Sequence, residues 1–219
     1  MGGGARPAAS GSIRCRLRES NTTAAPAARV IAMRLDLFEN PDFERGRSRV
    51  IELLWLIVQA LVVESWLPVA SLKIQALRLF GAKVGRGVVI KPYVRVKFPW
   101  KLEIGDYSWI GEEVWIDNLA TVRIGDHCCL SQGAYLCTGS HNWSSERFDL
   151  ITRPIMIDDQ AWLCSRSSIG PGVHVGQGAV LTIGSTATSD LAPWWIYTGN
   201  PAKAQRQRFE KKTEPQDVH

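Results

Sequence analysis

The sequence predicts a mainly β chain, with short parallel strands wound into a stacked coil behind a helical segment. Three observations carry this prediction. An aliphatic residue, often followed by glycine, recurs in six-residue steps between Val84 and Leu181, with restarts and one break. The stretch KLEIGD at 101–106 returns as TVRIGD at 121–126 and PIMIDD at 154–159, so one corner is written three times. Ahead of the coil, residues 51–63 form an apolar run broken only by Glu52 and Gln59.

Residues 1–35 carry six arginines (Arg6, Arg14, Arg16, Arg18, Arg29 and Arg34) against one acid, Glu19. The rest of the chain holds 20 basic and 20 acidic residues, so the formal charge of +5 belongs to this tail. A basic face for nucleic acid is therefore not expected on the fold. The tail is rich in Ala, Gly and Ser, and a disordered segment is expected there. It is Arg-rich and acid-poor like a transit peptide, has no apolar core of a secretory signal, and Met33 equally serves as a start.

Residues 36–82 are read as a helical cap. Residues 36–50 are polar with turn formers, and the run at 51–63 is too short to span a bilayer. A second helical stretch, roughly 69–80, places Val69, Leu72, Ala76 and Leu79 on one face and stops at Gly81. Two readings fit 51–80: a hairpin packed over one end of the coil, or a peripheral membrane contact, to which Trp55 and Trp66 among aliphatics point.

Residues 83–190 hold the coil. The beat runs through Val84, Ile90, Val96 and Leu102, and restarts at Ile104 for Ile110, Ile116 and Val122. It restarts again at Ile124 for Leu130 and Leu136, then resumes at Ile155 and Ile157 for Leu163, Ile169, Val175 and Leu181. A six-residue step does not fit a helix of about 3.6 residues per turn. It suits three short strands per coil, with coils stacked about 4.8 Å apart and the aliphatics in inward ladders. No single coil buries its own apolar face, so several must stack with covered ends. The second and third corners lie 33 residues apart, thirteen more than the first and second. The excess is an insertion at 141–153 that begins at His141, one of four histidines. Residues 191–219 leave by the other end.

The stretches IGDYSWIGEEVWID, IGPGVHVGQGAV and GNPAK resemble the hexapeptide-repeat acyltransferases over about 84–208. WIDNLATVRIGDHCCLSQGAYLCTGSH followed by LITRPIMIDDQAW is most similar to the colanic-acid-type and nodulation-type sugar O-acetyltransferases. The resemblance implies a left-handed parallel β-helix, although general crossover rules favour the opposite hand. It further implies acetyl-CoA as co-substrate with no metal, a homotrimer with clefts between neighbours, and a sugar or glycan-intermediate acceptor in exopolysaccharide or cell-surface glycan synthesis. The expected location is cytoplasmic, at the inner face of the membrane if 51–80 docks there.

The same resemblance maps the general base onto His141 in TGSH. Neutral imidazole suits the task, because an attacking hydroxyl must shed a proton near neutral pH. Ser140 and Ser165 carry hydroxyls suited to a developing oxyanion. Asp117 and Asn118 are the expected acceptor-binding pair, with a turn at a coil corner as the alternative reading. Trp162, Ser165 and Gly184 are expected along the pantetheine. Gly199, Lys203 and Arg206 are expected at the CoA phosphates, which basic groups pair well. Ile183 and Ser189 depart from the G-A-G-S and T-K-D of many relatives, which implies a narrower channel and one cation fewer.

Rival readings are a non-catalytic scaffold, a serine or amino-sugar N-acetyltransferase, an acyl-cysteine route through Cys137 or Cys164, and a γ-class carbonic anhydrase. The last needs three converging histidines on zinc, and His127, His141 and His174 lack the close pair it uses.

Overall fold

The computed structural model describes residues 1–2, 32–41 and 43–209. Of the tail expected over 1–35, residues 3–31 lie outside the described residues, as do the last residues, 210–219. The coil and its helices belong to one compact unit, Met33–His219.

Among the described residues, the unit holds seventeen two- or three-residue strands, a longer C-terminal hairpin and two α-helices. The coil strands form three parallel sheets, the three faces of a prism. Pairing obeys the twenty-residue spacing: on the first face Lys83 lies beside Glu103 and Glu103 beside Arg123. Every beat residue from Ile90 to Leu181 is buried. The prism axis is therefore a continuous column of Ile, Leu and Val.

The repeated IGD corner has a direct physical meaning. The Asp106 carboxylate accepts from the Arg86 N–H at 3.0 Å, Asp126 from the Asp106 N–H at 2.7 Å, and Asp159 from the Asp126 N–H at 2.8 Å. Each aspartate satisfies a corner N–H of the preceding coil. Glycine precedes Asp106 and Asp126 because the chains touch there: a Cβ on Gly105 would overlap the Asp126 carboxylate and the Gly125 backbone.

Helix α1 spans Arg49–Val58 and runs on as a π turn, Gln59–Val63; helix α2 spans Ala70–Leu79. Ser48 caps α1 by accepting from the Ile51 N–H. Trp55 donates to the Val96 carbonyl at 2.8 Å, and Gln59 accepts from the Val96 N–H at 2.8 Å. These bonds pair backbone on the exposed edge of the first coil, an edge otherwise open to other chains. Gly81, at φ 98°, stops α2 as expected, with the Ala82 N–H closing back on the Leu77 carbonyl.

The face expected to bury on α2 is corrected. Leu79, Leu72 and Val69 are exposed, and Lys73, Ala76 and Leu77 are buried. The reason is Lys73, whose Nζ donates to the carbonyls of Val62, Val63 and Ser65 at 3.3, 2.7 and 2.9 Å. The end of the first helical segment has carbonyls without intrahelical partners, and a cation is favoured there. Hydrogen bonding thus turns the helix to a face that its apolar pattern does not predict.

The insertion leaves the coil intact: Ile155 and Ile157 pair with Val122 and Ile124 as though nothing intervened. It is an antiparallel ribbon, not an irregular loop, with Gly139–His141 paired to Leu150–Thr152. The Arg153 N–H donates to the Thr138 carbonyl at 2.9 Å and closes the neck. At the far end Trp195–Gly199 extends the second face, and Ala202–Gln207 turns back along it.

Candidate active site

His141 ends the first ribbon strand, opposite Leu150. Its ring is half-buried and stacked on Phe148, with centroids 4.1 Å apart and planes 3° from parallel. Phe38 meets it edge-on, with centroids 5.6 Å apart. Nδ1 lies 2.8 Å from the Phe148 carbonyl. A carbonyl only accepts, so Nδ1 carries the proton and the neutral ring keeps its lone pair on Nε2. No partner holds Nε2 among the described residues.

The turn beneath this ring is built for that carbonyl. Phe148 adopts φ 52°, a left-handed conformation that costs a bulky residue on the order of 1–3 kcal/mol. The Phe148 N–H donates to the Ser145 carbonyl at 3.1 Å, and the Ser145 hydroxyl donates to Asp149 at 2.7 Å. Neither Phe148 nor Phe38 was predicted. The first acts through its backbone, and the second lies a hundred positions from the histidine; only the irregular FDL of the insertion marks the spot.

The expected acceptor pair divides. Asn118 is fully enclosed, donating to the Phe98 carbonyl at 2.7 Å and accepting from the Phe98 N–H at 2.9 Å. Its amide pairs with the coil corner, as the turn reading has it. Asp117 lies 3.3 Å from the Lys97 ammonium and accepts from Tyr135 at 3.4 Å. It lines a groove of about 360 Å³ beneath α1 together with Trp55 and Gln59. That groove does not include His141 or its ribbon.

The expected donor residues gather on the second face and the corner after it. Trp162, Val180, Ile196 and Arg206 stand in one row across four strands. Trp162 is part-exposed and donates to the Ser131 hydroxyl at 3.0 Å. Ser165 donates to Gln132 at 3.0 Å, and its carbonyl accepts from the Gly184 N–H at 3.0 Å. Gly184, at φ 65°, has open space on its Cβ side, while the neighbouring Ile183 side chain is 72% exposed. Gly199 donates to the Ser185 hydroxyl at 2.9 Å, Thr198 lies opposite Lys203, and Lys203 and Arg206 are exposed. His141 is not among them. Its ribbon leaves the next corner, between the third face and the first, so the chain presents the two residue sets on different edges of the prism.

No group of three His, Cys, Asp or Glu suited to a metal occurs among the described residues. His174 lies 2.9 Å from Asp158 and His127 stacks on Tyr107. Burial pushes the Cys164 thiol above its ordinary range and the Cys128 thiol up to about 11. Both stay protonated at neutral pH, unlike an activated nucleophile. Cys164→Ser is accordingly expected to keep at least half of any transferase rate, measured by thiol release from acetyl-CoA.

No family model matches the chain. WcaF of Escherichia coli (strain K12), named as a colanic acid biosynthesis acetyltransferase, is 40% identical over 175 residues, spanning 79% of this chain and 96% of the relative. Galactoside O-acetyltransferase of the same organism is 27% identical over 129 residues, 58% of this chain and 64% of the relative. A hexapeptide-repeat acetyltransferase of Vibrio cholerae, solved with acetyl-coenzyme A, superposes with a TM-score of 0.70 at 22% identity, over 80% of this chain and 97% of that one. The structural likeness carries the coil and nothing more. The identity to WcaF, sustained over almost its whole length, carries the relationship: the chain belongs to the hexapeptide-repeat acetyltransferases and is an acyltransferase of that family.

Proposed function

We propose that the protein moves the acetyl group of acetyl-CoA to a hydroxyl of a sugar, with His141 as general base, in the synthesis of an exopolysaccharide or surface glycan. The supporting observation is the ring held at Nδ1 by the Phe148 carbonyl, with Nε2 left to accept a proton. In the reaction the acceptor hydroxyl gives its proton to Nε2 while its oxygen attacks the thioester carbon. The tetrahedral intermediate collapses, the carbon–sulfur bond breaks, and the proton passes from Nε2 to the departing thiolate. The products are an acetyl ester and CoA thiol, and the imidazole is neutral again.

The donor residues stand on a different edge from His141, which favours a site completed by a neighbouring copy. A homotrimer with three such clefts is the assembly proposed, on a left-handed coil whose first turn is capped by the helices. The test is thiol release from acetyl-CoA with a panel of methyl hexosides, nucleotide sugars, serine and glucosamine. Ester formation on a sugar is expected; transfer to serine or to the glucosamine amine alone would replace this reading with the serine or amino-sugar N-acetyltransferase one.

A second reading concerns location. No helix of the described residues is long and apolar enough to cross a membrane. Yet Val50, Leu53, Leu54, Ile57 and Leu61 are all exposed along α1 and its π turn, with Trp66 beyond them. Arg47 and Arg49 precede this strip, and residues 1–35 carry six arginines. Apolar and basic groups together suit the surface of an anionic bilayer. Co-sedimentation with phosphatidylglycerol vesicles is expected for the full chain and is expected to drop several-fold in Leu54→Glu/Leu61→Glu.

A further inference from the structure

The ribbon carries more than the histidine. Directly opposed residues of an antiparallel pair share a face, and so do residues two apart on one strand. Gly139 faces Thr152 and His141 faces Leu150, so all four lie on one side of the ribbon, with Ser140 and Ile151 on the other. Leu150 and Thr152 line an open groove of about 440 Å³; His141 is outside its lining but shares their side of the ribbon. That volume falls in the range of small-molecule sites, about 300–1,000 Å³.

The opposite wall is a strap ahead of α1. The Arg34 N–H donates to the Glu146 carbonyl at 2.8 Å, and Arg147 pairs with Glu39 at 3.3 Å, so the strap begins at the ribbon's tip. It passes His141 at Phe38 and reaches the groove with Asn40, Phe43 and Glu44. Lys101 locks it to the coil, donating to the Glu44 carbonyl at 2.6 Å and the Leu119 carbonyl at 2.7 Å. Thr121 completes the lining at the coil corner.

We infer that this groove is the acceptor subsite, and that it takes one neutral pyranose ring with Glu44 as the principal hydroxyl-binding group. The inference rests on the proposed sugar acetylation. Chemistry selects the ligand class. Asn40, Glu44, Thr121 and Thr152 offer amide, carboxylate and hydroxyl groups, the complements of sugar hydroxyls. Phe43 and Leu150 supply apolar wall for the C–H faces of a ring. Lys101 is the cation of the lining, and its ammonium is already committed to two carbonyls. Nothing in the lining therefore calls for a phosphate; any nucleotide or lipid phosphate carried by the sugar stays outside.

Two variants of the full chain test the assignment. Glu44→Gln removes the carboxylate's charge and leaves the backbone carbonyl that holds Lys101. Thr121→Trp fills the groove from an exposed position. Methyl α-D-glucopyranoside, methyl α-D-galactopyranoside, UDP-glucose and a polyprenyl-phosphate hexose serve as probes and separate free, nucleotide-borne and lipid-borne rings. Glu44→Gln is expected to raise KM for the accepted sugar about tenfold or more and to leave KM for acetyl-CoA within about twofold. Binding read by saturation-transfer NMR does not depend on turnover. A sugar signal seen with the parent protein and lost in Thr121→Trp, at equal melting temperature, supports the subsite even where no acetyl moves; in that case the acetylation reading fails and the groove assignment stands. A signal that persists in Thr121→Trp, a sugar KM unchanged in both variants, or no sugar bound by the parent would overturn it.

Discussion

His141→Ala is expected to lower the rate of acetyl transfer by about 10²–10⁴-fold, the usual contribution of a positioned general base. Acetyl-CoA binding should be kept, because the expected donor residues stand on another edge of the prism. Melting temperature should shift little: the ring is half-buried and the ribbon's neck and strand pairing use backbone groups. Titration calorimetry with acetyl-CoA beside the rate assay separates loss of chemistry from loss of fold. A variant that transfers acetyl at the parent rate would remove His141 from the mechanism and leave the Phe148 carbonyl, held in a costly backbone conformation, without a purpose.

The range of the forces involved decides how much of this site was legible in the sequence. The six-residue beat is a local pattern imposed by the inward ladders, so every coil from Ile90 to Leu181 could be read. The insertion could be measured by arithmetic, since coil stacking fixes the spacing between IGD corners. Its internal pairing could not: Gly139, Ser140 and His141 carry no alternation of their own, and the ribbon exists because Leu150–Thr152 returns beside them. The strap was least visible. Residues 36–50 read as polar connection, and nothing local says that Phe38 abuts His141 or that Glu44 is held by Lys101. Lys73 shows the same limit from the other side, since its three carbonyl partners lie at and just beyond the end of the preceding helical segment and decide which face of α2 turns inward.

Asn118→Ala is expected to destabilise the fold by about 2–4 kcal/mol, because it strands two buried backbone groups, the Phe98 N–H and carbonyl. For a domain of this size that corresponds to a fall in Tm of roughly 5–15 °C. Asn118 was expected at the acceptor, and the two roles predict opposite signatures. A recognition residue, once removed, raises the sugar KM and leaves Tm alone. A corner residue lowers Tm and leaves the sugar KM of the surviving folded protein unchanged. Calorimetry paired with kinetics below the transition therefore decides the matter, and a stable variant with a raised sugar KM would return Asn118 to the site. The neighbouring corner explains why the amide is needed. Thr138, also fully buried, makes the equivalent bonds one coil on, its hydroxyl accepting from the Ala120 N–H at 3.0 Å and donating to the Asp117 carbonyl at 3.1 Å. Successive coils thus close this edge with side chains that both donate and accept, at the edge where the ribbon leaves. An apolar residue there fills the space and satisfies neither backbone group, and the ribbon that carries His141 would then spring from a loosened corner.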